Sequence, residues 1–287
     1  MRRVLVTGGL GLLGTEIAEA CRRRFEVRST DVGDCDVSDL SACRRELRDF
    51  RPQVVIHCAA YTAVDRAESE PETARAANVD GTRNVAVACR ELGALLVTFG
   101  SDYVFDGTRT RPYREDDPVR PLSVYAKSKL AAEEAVRETG CDHLLIRTQW
   151  LYGPAGKNFI LTILARARKG ETLRVVTDQT GCPTYTKDLA GATLALMDAG
   201  ARGTVHFSNE GETTWFGLAR FVLERSALST ASLLPAATGD LSFPAPRPAY
   251  SVLSKERYRK ISGVSPRRWE EAAGEFLASV PEEREDR

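Results

Sequence analysis

The apolar positions of the first half of the chain fall into short continuous runs, separated by longer segments with helical spacing. "RVLVT" (3–7) is the first run, and runs of this length read as buried strands. "FEVRST" (25–30), "QVVIHCAA" (53–60), "ALLVTFGS" (94–101) and "DHLLIRTQWLYG" (142–153) repeat the pattern. Between them, "TEIAEACRRR" (15–24) sets Ile17, Ala18 and Cys21 on one helical face. "DLSACRRELRDF" (39–50), "PETARAANVDGTRNVAVACRELG" (71–93) and "SVYAKSKLAAEEAVRETG" (123–140) also read as helices, with Asp39 or Ser41 starting the first and Gly93 ending the second. Strand and helix alternate five times, which predicts an α/β fold: a doubly wound parallel sheet with helices on both faces.

The alternation loosens after Gly153. "NFILTILARARKG" (158–170) and "YTKDLAGATLALMDAG" (185–200) predict helices, and "TLRVVTD" (172–178) a strand. Beyond 204 the pattern gives short strands, a helix at "WFGLARFVLERSA" and a Pro-rich passage, 234–251. The expected organisation is a dinucleotide-binding domain at 1–152, with a segment near 175–200 returning to it. Residues 153–287 form mainly a smaller α/β substrate-binding region, and "PEEREDR" (281–287) a tail.

Composition narrows the function classes. The 287 residues carry 40 Lys plus Arg and 40 Asp plus Glu, so no net field draws the chain to nucleic acid or an anionic membrane. No apolar run reaches the ~20 residues of a membrane helix, and "MRRVLVTGG" does not read as a signal peptide. The seven cysteines are odd in number and lack CxxC spacing, which argues against a disulfide framework and a zinc site and fits a cytoplasmic protein. Three histidines make His-based catalysis a poor expectation, and no residue cluster suggests a metal.

The candidate chemistry lies at the strand ends. Gly8, Gly11 and Gly14 sit between the first strand and first helix, where glycines permit a tight turn and close approach to a pyrophosphate at a helix N-terminus. Their GxxGxxG spacing differs from the general fingerprint. Asp31 ends the second strand, where a carboxylate accepts from an adenosine ribose and disfavours a 2′-phosphate. Nearby Arg28, Ser29 and Thr30 keep NADP open, and Asp31 reads equally well as a solvated turn residue. Asp36 and Val37 follow in the same loop, in position to lie along an adenine.

Ser101 ends the fourth strand, and Tyr125 begins the next helix with Lys129 four residues on. That spacing shares one helix face, which by itself describes any amphipathic helix. Combined with Ser101 it suggests a proton-transfer set. Lys129 would stabilise the Tyr125 phenolate and pull its pKa down from about 10. Tyr125 would then exchange a proton with a substrate oxygen that Ser101 orients. Ser128 and Lys127 fall off this face and need no role.

These motifs resemble the extended short-chain dehydrogenase/reductase family: TGGxGxxG at Thr7–Gly14, Ser101, and Tyr125-x-x-x-Lys129. "NVDGT" (78–82) resembles its helix-four motif, in which Asn78 would support the lysine through water. Five further blocks, at 59–72, 100–107, 147–153, 178–190 and 247–254, resemble the dTDP-4-dehydrorhamnose reductase branch. The resemblance implies a Rossmann-like fold, NADPH or NADH as cofactor, and reduction of the 4-keto group of a dTDP-4-keto-6-deoxy sugar by a cytoplasmic homodimer. It extends the cofactor site to Leu12, Leu13, Ala59 and Ala60, beside Tyr125 and Lys129. It places Thr62, Val64, Asp102, Tyr103 and Trp150 on the substrate, and Asn158 and Arg247 on its diphosphate. For Trp150 a core anchor is equally readable from sequence, and for Arg247 a surface ion pair is the readier reading. Thr184 and Pro183 would shape a turn near the cofactor.

Dehydratases of this fold carry an Asp-Glu pair after the catalytic hydroxyl, whereas here Asp102 is followed by Tyr103, which favours a reductase. The branch often has Thr at the position of Ser101, which supplies the same donor without the methyl group and leaves a different sugar open. A sugar-nucleotide epimerase of the same fold stays open. So does a non-catalytic regulatory subunit resembling methionine adenosyltransferase β, although the intact Ser101, Tyr125 and Lys129 argue against it.

Overall fold

A computed structural model describes residues 1–281; the expected tail from 282 onward lies outside the described residues. Strands β1 (Arg3–Thr7), β2 (Glu26–Thr30), β3 (Val54–His57), β4 (Leu95–Ser101) and β5 (His143–Thr148) alternate with helices α1 (Leu12–Arg22), α2 (Leu40–Phe50), α3 (Val64–Ala67), α4 (Pro71–Arg75), α5 (Gly81–Leu92) and α6 (Val124–Thr139). Then follow β6 (Leu151–Tyr152), α7 (Phe159–Arg168), β7 (Leu173–Val176), β8 (Thr180–Gly181), β9 (Thr184–Tyr185), α8 (Thr186–Asp198) and β10 (Gly203–His206). β11 (Thr213–Thr214), α9 (Trp215–Arg225), β12 (Leu233–Ala236), α10 (Glu256–Ser262) and α11 (Trp269–Ser279) complete the chain.

The main sheet runs β10-β5-β4-β3-β1-β2, every pair parallel. Alternate residues of each strand face opposite sides. Val4, Val6, Val54, Ile56 and Val97 pack under α1 and α8, with Ile17 and Leu196 fully buried there. Leu5, Val55 and Leu96 face α2 and α5 through Leu47, Val85 and Cys89. Truncating Ile17 to Ala in such a core costs about 2–5 kcal/mol. A second apolar cluster joins α7, α9 and α11 with the small parallel pair β7–β12.

Three departures from the simple periodic pattern all shape the sheet's carboxyl edge. The long helix expected at 71–93 is interrupted by a π-helical turn, Ala76–Asp80, which buries Asn78. The apolar run at 142–153 is two strands, broken at Trp150, whose φ of 47° is left-handed. β3 stops at His57, and Cys58–Ala60 continue as irregular chain into the cleft. His57 is buried between Thr7 Oγ1 (2.7 Å from Nδ1) and Thr82 Oγ1 (3.1 Å from Nε2). Burial holds its pKa down at about 3, so it stays neutral and acts as a strut.

Candidate active site

One cleft with two lobes opens above the strand ends. The first lobe, about 580 Å³, is lined by Gly8, Gly11, Asp31, Cys35, Asp36, Val37, Ala59 and Ala60. The second, about 490 Å³, is lined by Leu12, Leu13, Gly14, Thr62, Val64, Ser101, Asp102, Tyr103, Tyr125, Lys129 and Trp150. Gly11, Cys58 and Ala60 border both.

The glycine turn is built to let backbone approach. Gly8 has φ +67°, and a Cβ there would sit 2.5 Å from the Ala59 nitrogen. A Cβ on Gly14 would lie 2.0 Å from the Gly8 carbonyl oxygen, so α1 can pack on its own turn only with glycine here. Gly11 caps α1 without a side-chain bond, and the first turn carries no acid. The free N–H groups and the positive end of the dipole therefore face the cleft, a donor set that fits a dinucleotide pyrophosphate. Asp31 fits its ribose: the carboxylate lines the first lobe, accepting from the backbone N–H of Leu10 at 3.0 Å and of Val32 at 2.9 Å.

Tyr125 is held at the start of α6 by two caps. Ser123 Oγ accepts from Ala126 N (3.1 Å), and Glu68 Oε1 accepts from Val124 N (2.8 Å). Tyr103 packs edge-on against the Tyr125 ring, centroids 6.1 Å apart. Ser101 Oγ accepts from Tyr103 N and donates to Asp102 Oδ1, both at 3.1 Å. Lys129 Nζ donates to the Phe99 carbonyl at 2.8 Å. Beneath this floor Arg147 grips Glu133 with two hydrogen bonds, 2.9 and 2.8 Å. A Cβ on Gly100 would come within 2.7 Å of that Glu133 carboxylate.

The electrostatics differ from the expectation for Tyr125. Burial, reinforced by the Asp102 carboxylate, pushes its pKa up to about 12, and the Ser101 hydroxyl opposes the rise. Lys129 does not lower it, because its ammonium is turned to the Phe99 carbonyl. Lys129 itself is held down at about 8 by burial, with Glu133 opposing. Burial also lifts Asp102 to about 7. The protein alone thus holds a protonated phenol beside a lysine that remains mainly cationic at pH 7.

Several residues take places that the sequence did not indicate. Ser128, expected to be idle, accepts from Asn78 Nδ2 (2.9 Å) and donates to the Tyr125 carbonyl (2.7 Å). Asn78 also accepts from Tyr61 N (2.8 Å) and donates to Tyr61 O (3.1 Å), so it braces the cleft loop and α6 directly. Asn158 is not free for a diphosphate. Its Oδ1 caps α7 through Leu161 N and its Nδ2 donates to Gly153 O. Arg247 pairs with Asp65 at 2.7 Å, donates to the Ala245 carbonyl at 2.9 Å and lies 4.4 Å from the Phe243 ring centre, and its guanidinium also neighbours the hydroxyl of Tyr103, which lines the second lobe. Lys157, beside Asn158, lines the second lobe instead. Trp215 also lines it, stacked on Trp150 with centroids 3.6 Å apart. Thr184 N donates to Trp150 O at 3.1 Å, so the 180–185 segment braces that strained residue.

The model of the RmlD substrate-binding domain family matches residues 1–281. The chain belongs to this family. Its relatives include a dTDP-4-dehydrorhamnose reductase of Streptomyces griseus, 43% identical over 97% of this chain and 94% of that protein. The spore coat polysaccharide biosynthesis protein SpsK of Bacillus subtilis is 41% identical over 96% of this chain and 97% of its own. A dTDP-4-dehydrorhamnose reductase of Bacillus anthracis, solved in complex with NADP, superposes with a TM-score of 0.94 at 35% identity, covering 98% of this chain and 100% of that one. Seen in the family, the doubly wound sheet read from the sequence is the Rossmann-like frame of its members.

Proposed function

We propose that this chain reduces the 4-keto group of a dTDP-4-keto-6-deoxy sugar with NADPH or NADH, as in the conversion of dTDP-4-dehydrorhamnose to dTDP-L-rhamnose. The observation that carries this reading is the shared cleft: the open N-terminus of α1 and the Ser101, Tyr125 and Lys129 side chains border one continuous space. The names of the relatives that align over nearly the whole chain support it.

The chemistry that a bound reduced nicotinamide supplies is hydride donation to a carbonyl carbon. The chain's own residues handle the other half. Tyr125 gives its phenolic proton to the C4 oxygen, and its raised pKa keeps that proton in place until it is needed. Lys129 lines the same lobe, and its ammonium would offset the charge left on the phenolate on turning toward it from the Phe99 carbonyl. Ser101 directs a hydrogen bond at the same oxygen. Thr62, Val64, Tyr103 and Trp150 bound the sugar, and Lys157 is the lining cation that meets the diphosphate. One phenol suffices for net reduction, and the residue after Asp102 is Tyr103, not the glutamate that elimination uses.

We place residues 1–152, with α8 and β10, on the cofactor and the remainder mainly over the substrate. The working form is a cytoplasmic homodimer. All seven cysteines are free, which suits a reducing compartment. The test is oxidation of NADH and NADPH by the purified protein with dTDP-6-deoxy-L-lyxo-4-hexulose. Substrate-dependent loss of reduced-nicotinamide absorbance is expected. Conversion of the sugar without cofactor consumption, or no conversion, overturns the proposal.

A further inference from the structure

We infer that Cys35 and Cys43 form a redox site at the edge of the first lobe, where a peroxide joins the two thiols in a reversible disulfide and so weakens dinucleotide binding. The coupling to the cofactor rests on reading the first lobe as the dinucleotide site; the disulfide itself does not. Cys35 lies in the loop after β2, and Cys43 lies one turn into α2. Both side chains enter the apolar cluster of Leu5, Leu47 and Val85, where the two thiols are hydrogen-bonded to each other. Cys43 Sγ also lies 3.6 Å from the Val37 carbonyl oxygen.

Access and chemistry both single out Cys35 as the first to react. Cys43 is sealed in the cluster, whereas Cys35 lines the first lobe, so an oxidant entering the lobe meets it. The thiolate is the form that attacks a peroxide. The hydrogen bond from Cys43 draws the Cys35 pKa down, with Arg45 assisting, against burial and the Glu46 and Asp36 carboxylates. Burial instead raises Cys21, Cys58, Cys89, Cys141 and Cys182, although Cys58 also borders the cleft.

The step balances with hydrogen peroxide as the oxidant. The Cys35 thiolate attacks one peroxide oxygen and the O–O bond breaks. The other oxygen leaves as hydroxide and takes up the proton that Cys35 gave up, forming water and leaving a sulfenic acid. The Cys43 sulfur then attacks the Cys35 sulfur, the S–O bond breaks, and the sulfenic oxygen leaves as a second water with the Cys43 proton. The two thiols lose two electrons and two protons, and the peroxide is reduced to water. A dithiol reverses the reaction by exchange.

The bond bears on the lobe through the loop that holds Cys35. An S–S bond is about 2.05 Å long, so closing it draws the side chains together from hydrogen-bonded contact. α2 is packed on the sheet through Leu47 and Phe50, so the loop is the part that moves. That loop places Asp31, Asp36 and Val37 in the lobe wall. In the reduced protein Asn84 holds it by donating to the Val37 and Ser38 carbonyls at 3.0 and 2.9 Å, and Asp34 accepts from Asp31 N at 3.2 Å. The disulfide pulls against these bonds.

The experiment treats the reduced full-length protein with hydrogen peroxide, with and without NAD⁺ or NADP⁺, and locates the products by peptide mass spectrometry. A Cys35–Cys43 disulfide that dithiothreitol removes is expected. A dinucleotide at about ten times its Kd should slow its formation roughly tenfold by filling the lobe. By linkage the oxidised protein should bind the same dinucleotide on the order of tenfold more weakly in calorimetry. In Cys43→Ala the bridge cannot close, and dimedone should trap Cys35 as its sulfenic acid. In Cys35→Ser neither product should form, with circular dichroism confirming that both variants fold. Oxidation at Cys58 or another cysteine ahead of Cys35, or no Cys35–Cys43 bridge, overturns the redox site. A bridge that leaves dinucleotide affinity unchanged overturns the coupling. Reduced protein that binds neither dinucleotide removes the cofactor reading and the coupling with it, while the bridge is still scored by mass.

Discussion

Lys129 gives a prediction in which stability and activity move in opposite directions. Its ammonium is buried, and its pKa falls from 10.5 to about 8 chiefly because burial disfavours the charge. That drop corresponds to a folding cost of about 3 kcal/mol at neutral pH. Replacing Lys129 with Met, of similar length and without charge, removes the cost. It leaves the Phe99 carbonyl without its donor, a loss of about 1–2 kcal/mol. Glu133 stays neutralised, because Arg147 grips it independently. The net expectation is a gain of about 1–2 kcal/mol at pH 7, a rise in Tm of a few degrees for a domain this size. The sign can be checked against pH. Between about 8 and 10.5 the unfolded lysine binds a proton that the folded one has released, so the unaltered protein gains stability as pH rises through this window. The advantage of Lys129→Met should therefore be full below pH 8 and fade toward 10.5. Urea unfolding of both proteins at pH 7, 8.5 and 9.5 measures it, and a cofactor-oxidation assay should show turnover falling by a factor of about 10² or more. A variant less stable than the parent at pH 7, or a difference that does not change with pH, would refute the reasoning.

Tyr125→Phe keeps the ring packed on Tyr103 and removes only the acid. Turnover should fall on the order of 10²–10⁴-fold while calorimetric cofactor affinity stays within about threefold, and a variant retaining full turnover means that Tyr125 is not the proton donor. Gly14→Ala drives a Cβ to 2.0 Å from the Gly8 oxygen, so dinucleotide binding measured by nicotinamide fluorescence should be lost or the Tm should drop sharply; unchanged values of both contradict the cradle. Trp215→Ala strips the stacking partner of Trp150 in the second lobe. KM for the dTDP-sugar should rise about tenfold with cofactor affinity unchanged, and an unaltered KM removes Trp215 from the substrate surface.

The strand and helix order was legible because each parallel strand is a continuous apolar run and each covering helix keeps its period. The cleft was legible where chemistry and topology coincide: glycines after β1, Ser101 at the end of β4, Tyr125 and Lys129 on α6. What escaped depends on tertiary contacts between distant segments. The π turn at Ala76–Asp80 follows from Asn78 reaching Tyr61 and Ser128, and nothing in the local period marks it. Ser128 lies three residues from Tyr125, a spacing that makes helix neighbours; that was the signal, and it gave way to the stricter Tyr125–Lys129 stripe. Trp215 enters the cleft from the first turn of α9, far along the chain, with no local cue. The N-cap that Asn158 forms and the ion pair of Arg247 with Asp65 likewise join segments that the local pattern does not connect.

Two kinds of buried polar group can be told apart in this molecule, and the distinction points to the same cleft. His57 has a partner on each ring nitrogen, and Glu133 meets Arg147 with both oxygens. Such groups, fully matched, hold elements together. Asp102 is different: Ser101 donates to one oxygen, while the other has no hydrogen-bond partner among the described residues, and burial sets its pKa near 7. Lys129 carries an uncompensated share of its desolvation, and Trp150 holds a left-handed backbone that costs of order 1–3 kcal/mol. All three unbalanced features border the second lobe. The fold thus gathers an unpartnered carboxylate oxygen, a desolvated ammonium and a left-handed backbone where a carbonyl must accept a proton, and the stability gain predicted for Lys129→Met measures part of that cost directly.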